Sequence, residues 1–161
     1  MRFRNNLGLD WADLGRRAAL VAGEEVPNMS PERTLLMLCT HGSKHAWTRL
    51  LWIIDVAHLI DHERDLNWDA TIREARRLGL WHRLALGVLL AHHIADAEVA
   101  HRIRRQFELN SGCCLLARHF TENLFNAPGS IPEGLLIVAS NLMVSKPLRR
   151  TEVRDMSGWA T

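Results

Sequence analysis

Apolar residues recur at helical rather than strand spacing along most of the chain. No run of alternating apolar and polar residues exceeds about four positions, and tyrosine is absent. Asp10 can cap a first helix through Trp11, Leu14, Ala18 and Leu20 to a stop at Gly23. Ser30, Pro31 and Glu32 open a second, which carries Leu35, Leu36, Leu38 and Cys39 towards Gly42. From Trp47 to His62 the apolar residues Leu50, Leu51, Ile53, Ile54, Val56, Ala57 and Ile60 cover more than half a helical wheel, which predicts a central core helix. Further helices are predicted from Asn67 to Leu78 with a stop at Gly79, and from Leu80 to Ile94 with Gly87 inside. Asp96 can open a basic helix through Phe107, and Ser111 or Gly112 can open another from Cys113 to Phe125. A Ser130 to Glu133 capping box starts the last, ending near Val144. The expected architecture is therefore all-α, a single domain of six to eight helices over residues 1–146. Its centre would be the Thr34 to Cys39 and Leu50 to Ile60 segments, and a polar, frayed tail would follow over 147–161.

Composition narrows the class without naming a chemistry. The chain has 161 residues, 47% apolar and 24% charged, which suits one globular domain, and no apolar run approaches the length of a membrane span. Met1 to Asp10 lacks an apolar signal core, so a cytoplasmic location is expected. A net charge of +2 is too weak a field to argue for binding to a phosphate backbone. Arg73, Arg76 and Arg77, then Arg102, Arg104 and Arg105, form basic helix faces without interleaved aromatic residues, so nucleic acid is not an expected partner. Cys39, Cys113 and Cys114 form no C-x-x-C pair, which excludes a zinc ribbon and fits buried structural thiols.

The densest group of chemically capable residues runs from His41 to Ala57. If the backbone stays helical across Gly42, His41 and His45 stand one turn apart on one face, a spacing that can place two imidazoles on one metal. Asp55, His58 and His62 share a face of the following helix and make a third ligand conceivable, although no complete ligand signature is present. Gly42, Ser43 and Asp55 also mimic the Gly-Ser and carboxylate spacing of nucleotidyl transfer. That chemistry needs Asp-x-Asp on a strand, whereas the second position here is Ala57 in a helical context, so the match is read as coincidental. Asp55 sits among Trp52, Ile53, Ile54 and Val56, and a buried carboxylate needs a partner. The expectation is a buried ion pair with Lys44, Arg49, His41 or His45. His41, Lys44, His45, Trp47, Arg49, Trp52 and Asp55 are accordingly read as one cluster, binding substrate or forming a structural ion pair. No catalytic residue and no metal ligand is assigned, and His82, His92, His93, His101 and His119 show no recognisable spacing.

The stretch His41-Gly42-Ser-Lys44-His45-Ala-Trp47-Thr-Arg49-Leu50-Leu-Trp52-Ile-Ile-Asp55-Val56-Ala57 resembles the C-terminal helical part of an uncharacterised nucleotidyltransferase family. A looser resemblance runs from about Leu9, through Asn67-Trp68-Asp69 and Arg76-Arg77-Leu78-Gly79-Leu80, to about Ala91. In that family the Gly-Ser and paired-aspartate motifs belong to an N-terminal catalytic domain, and the chain is expected to begin beyond it, as a truncated product or one half of a split enzyme. The resemblance thus implies an accessory helical domain that covers or orients substrate. Magnesium and a nucleoside triphosphate would belong to the absent catalytic domain, a separate copy of which, or a second copy of this chain, is the expected partner. A free-standing protein interaction module and a metal-binding module on His41, His45 and Asp55 are the rival readings.

Overall fold

A computed structural model describes residues 17–123. Within them the fold is all-α: six helices, preceded by one short hairpin. Strands β1 (Arg17–Val21) and β2 (Glu24–Asn28) pair antiparallel, with Val21 opposite Glu24 and Arg17 opposite Asn28. The helix expected through Ala18 and Leu20 is therefore not formed. Its would-be stop, Gly23, is instead half of a two-residue turn in which Ala22 and Gly23 have φ of 53° and 88°. Positive φ at both positions matches the right-handed twist of paired strands, so this turn favours a hairpin over one more helical turn. The Asp10 cap, Trp11, Leu14, the Ser130 to Glu133 box and the 147–161 tail lie outside the described residues.

Helix α1 (Pro31–Lys44) begins as its sequence dictates, with the Ser30 hydroxyl accepting from the Arg33 N–H at 3.4 Å and proline in the first turn, where it has no hydrogen bond to lose. It continues through Gly42, so His41 and His45 do lie one turn apart. Helix α2 (Leu50–His62) starts three residues later than the apolar pattern suggests, because residues 45–49 form a tight reversal. Asn67 caps α3 (Trp68–Leu78) by accepting from the Ala70 N–H at 3.0 Å, and Gly79 ends it at φ 71°. Helix α4 (Trp81–Ala95) ends on Asp96, itself left-handed at φ 56°, so Asp96 closes one helix and does not open the next. Helix α5 is Helix His101–Glu108, and Asn110, not Ser111 or Gly112, caps α6 (Ser111–Asn123) by accepting from the Cys113 N–H at 3.1 Å. None of the described helices is long and apolar enough to cross a membrane.

Helix α4 is the axis of the bundle. Leu84 to Ala91 are all buried, and α1, α2, α3, α5 and α6 pack around them. An all-round apolar helix can only be accommodated in this way. Ala97 and Val99 are buried in the connection to α5, which is pinned twice. The Asp61 carboxylate accepts from the Glu98 N–H at 2.9 Å. Arg104 donates to His92 Nε2 at 2.9 Å, which leaves Nδ1 as the protonated nitrogen, donating to the Ala97 carbonyl at 3.1 Å.

The reversal between α1 and α2 is the least ordinary backbone of the fold. Ala46 and Trp47 both have φ of 51°, at a cost of roughly 1–2 kcal/mol each for a residue with a side chain. The conformation is held because the Trp47 N–H reaches the Gly42 carbonyl at 2.9 Å and the Ala46 N–H reaches Ser43 at 3.2 Å, satisfying the end of α1. It also turns the Trp47 indole inward, where only 1% of the residue stays exposed. There the ring lies against Gly42 of α1 and Gly87 of α4. A Cβ at Gly42 would collide with its six-membered ring; one at Gly87 would stand 2.5 Å from the Cys39 sulfur and 3.1 Å from Trp47 Cη2. The two helices approach this closely only because neither glycine has a side chain.

Gly87→Ala should lose about 1–3 kcal/mol and Trp47→Ala about 3–5 kcal/mol in urea denaturation, and Cys39→Ala should recover part of the Gly87→Ala loss by removing the sulfur it strikes. Burial pushes the Cys39 thiol far above its ordinary range; burial, then the neighbouring Cys114, pushes Cys113 up to about 11. Folding should thus weaken as pH climbs past the ordinary thiol value of about 8.5, where the unfolded chain gives up protons the folded one retains. Alkylation of the native protein should reach half-buried Cys114 and spare the other two until the chain unfolds.

Candidate functional site

The last turn of α1 and the first turn of α2 are brought face to face by the Ala46 and Trp47 reversal. His41, on α1, and its cap His45 set their imidazole centroids 4.8 Å apart. Trp52, in the first turn of α2, completes a near-equilateral triangle, 5.2 Å from His41 and 5.3 Å from His45. The Arg49 guanidinium carbon stands 5.9 Å from the Trp52 ring centre, within cation–π range. His41, Lys44, His45 and Arg49 are exposed and Trp52 is half-buried, so the group opens to solvent. Among the described residues no side chain caps α2, whose N-terminal N–H groups add positive potential to the same face. Below it, Ser43 Oγ and Trp47 Nε1 are buried without a hydrogen-bond partner among the described residues.

Two of the seven predicted site residues stand apart from this face. Trp47 points into the core and acts as the wedge beneath the cluster. Asp55 is exposed and makes no hydrogen bond or ion pair among the described residues, so the expected buried ion pair is not formed. The reason is geometric. The buried stripe of α2 is Ile53, Val56, Ala57 and Ile60, which turns Leu50, Leu51, Ile54 and Asp55 outward. Leu51 is 62% exposed and Ile54 42%, although the apolar pattern counts both as core. Asp55 therefore needs no buried partner and is free to accept a hydrogen bond from outside the domain.

A metal-binding reading needs a third ligand beside His41 and His45. His58 and His62 stack on each other at 3.8 Å farther along α2, with the His62 Nδ1–H donating to the His58 carbonyl at 2.9 Å. Among the described residues no three His, Cys, Asp or Glu side chains converge to hold a metal. What the face does offer is two fixed cations, two imidazoles and an indole, with the exposed Asp55 carboxylate farther along α2, a set that attracts anions and flat rings. Sequence reasoning finds these side chains through the density of His, Lys, Trp and Arg. It misses the glycine floor beneath them, whose signal was the pairing of Gly42 with a Gly87 forty-five residues away.

Residues 3–96 match the model of a family described as an uncharacterised nucleotidyltransferase, and the chain belongs to that family. The matched span ends on the cap of α4 and takes in the hairpin, α1 to α4 and the whole cluster, while α5 and α6 lie beyond it. Neither a curated protein nor a solved structure matches the chain.

Because Asp55 and Lys44 are exposed and unpaired within the described fold, Asp55→Ala and Lys44→Ala should each leave the thermal midpoint near that of the parent, within about 0.5 kcal/mol. Loss of several kcal/mol in Asp55→Ala would restore the buried-anchor assignment.

Proposed function

We propose that this chain serves as an accessory helical domain in nucleotidyl transfer, covering or orienting substrate for a catalytic domain that carries the Gly-Ser and paired-aspartate motif. Family membership supports the reaction class. The observation that carries the accessory role is the exposed triangle of His41, His45 and Trp52 flanked by Lys44 and Arg49, which has groups to hold an anionic, ring-bearing substrate but no paired carboxylates to activate it. In this role Lys44 and Arg49 meet negative charge, Trp52 and the imidazoles flank a ring, and Asp55 accepts from a hydroxyl at the rim. Magnesium and the nucleoside triphosphate are held chiefly by the catalytic domain.

A second reading has its own support. Leu50, Leu51 and Ile54 form an exposed apolar strip beside the cluster, as expected of a face that packs on a protein partner, whether a catalytic domain or a second copy.

Incubating the chain with magnesium and each labelled nucleoside triphosphate should give no transfer, while nucleotide should perturb the cluster resonances. Trp52→Ala and Arg49→Ala should each weaken that binding roughly tenfold without changing the fold. Transfer by the chain alone contradicts the accessory role. Unaltered binding in both variants, together with dissociation of an oligomer by Leu51→Asp, would favour the interaction module.

A further inference from the structure

The opposite end of α1 carries a different concavity. An open groove of about 490 Å³ lies between the start of α1 and the exposed face of α3, lined by Glu32, Arg33, Asn67, Arg73, Glu74 and Arg77 among others. Its size suits a small metabolite. The cluster of His41 and His45 sits about 20 Å away, at the other end of this 14-residue helix.

The charges in the groove are organised. Glu74 is gripped by Arg77 through two bonds, Nε to Oε2 at 2.7 Å and Nη2 to Oε1 at 2.6 Å. That hydrogen bonding, with the positive charges of Arg77 and Arg33 beyond it, holds the Glu74 carboxyl below its ordinary range, so it is ionised and fixed in orientation. Glu32 reaches across and accepts from the Asn67 N–H at 3.1 Å, tying α1 to the N-terminus of α3. Arg73, by contrast, is exposed and makes no hydrogen bond or ion pair among the described residues. With Arg77 engaged by Glu74, the Arg73 guanidinium is the positive group that the groove offers to a ligand. Helix α1 enters the groove by its N-terminal, positive end, while α3 lines it along one side from Asn67 to Arg77.

An anion is thus favoured, but not a bare one. Each Glu74 oxygen accepts only one bond from Arg77 and keeps a lone pair for another donor. A simple phosphate meets that carboxylate as a like charge. A molecule with hydroxyl groups next to its phosphate can give Arg73 a bidentate anion and Glu74 a donor at the same time. We infer that the α1–α3 groove binds a phosphorylated polyol of the sugar phosphate class, with Arg73 on the phosphate, Glu74 on a hydroxyl and Arg77 as the residue that positions Glu74. This site is separate from the cluster and does not depend on the accessory role proposed for it.

Amide chemical-shift titrations of the full chain with glucose 6-phosphate, glucose and inorganic phosphate test the assignment. Glucose 6-phosphate should bind saturably and more tightly than either of the others, moving resonances of residues 30–33 and 67–77. Arg73→Ala should weaken it about tenfold at an unchanged melting temperature, and Glu74→Ala should reduce it to the level of inorganic phosphate. The inference is overturned if glucose 6-phosphate fails to saturate, if glucose or phosphate alone binds as tightly, or if Arg73→Ala binds as the parent does. Shifts confined to residues 41–52 overturn it too, because they put the anion on the other face.

Discussion

The contact of one indole with two glycines sets the geometry of this domain. Trp47 can be buried only if α1 and α4 each present a bare backbone at its ring, and Gly42 and Gly87 do so. Its burial in turn fixes two consecutive left-handed residues, which an isolated chain would rarely adopt. The reversal they create is what places the last turn of α1 beside the first turn of α2. The face that carries the candidate site is therefore a by-product of the core. His41 and His45 meet Trp52 because Trp47, five residues before it, is held inside. Strain in the turn and burial of a large aromatic group are of comparable magnitude and opposite sign, which explains how such a turn persists.

How much of this the sequence discloses depends on whether the signal is local. Caps read correctly where one side chain meets one nearby N–H: Ser30 starts α1, Asn67 starts α3 and Gly79 ends α3, each within a residue of expectation. Asp96 misleads because aspartate serves both as an N-cap and as one of the few non-glycine residues that tolerate left-handed φ. The hairpin is missed because its strands are five residues long and the signal lies in the Ala22-Gly23 turn, not in alternation. Asp55 is misjudged for another reason. An apolar neighbourhood in sequence is not an apolar neighbourhood in space when a helix buries only one stripe, and the outward Leu51 and Ile54 go with it. Of the candidate cluster, the residues were legible and their division of labour was not. Trp47 and Trp52 look alike in the motif, yet one is wholly buried and the other only half-buried at the edge of the core, and a turn of two left-handed residues separates those fates.

The family match and the fold also divide the chain differently. The matched region ends at Asp96, but the α4 core does not close there. Ile103, Phe107, Cys113 and Ala117 of α5 and α6 are buried against it, and His92 and Asp61 pin the connection that leads to them. The residues shared with the family thus build the hairpin, the cluster and the groove. Those beyond it complete the cover of the central helix, as α4 requires on every side.

The most direct measurement of the central contact is the NMR environment of the two glycines. The α-protons of Gly42 and Gly87 should resonate far upfield under the ring current of Trp47, show cross-relaxation to its indole protons, and return towards ordinary glycine positions in a folded Trp47→Leu variant. Ordinary α-proton shifts at both glycines in the parent protein, with no indole cross-peaks, would contradict the account of how α1, α2 and α4 are assembled.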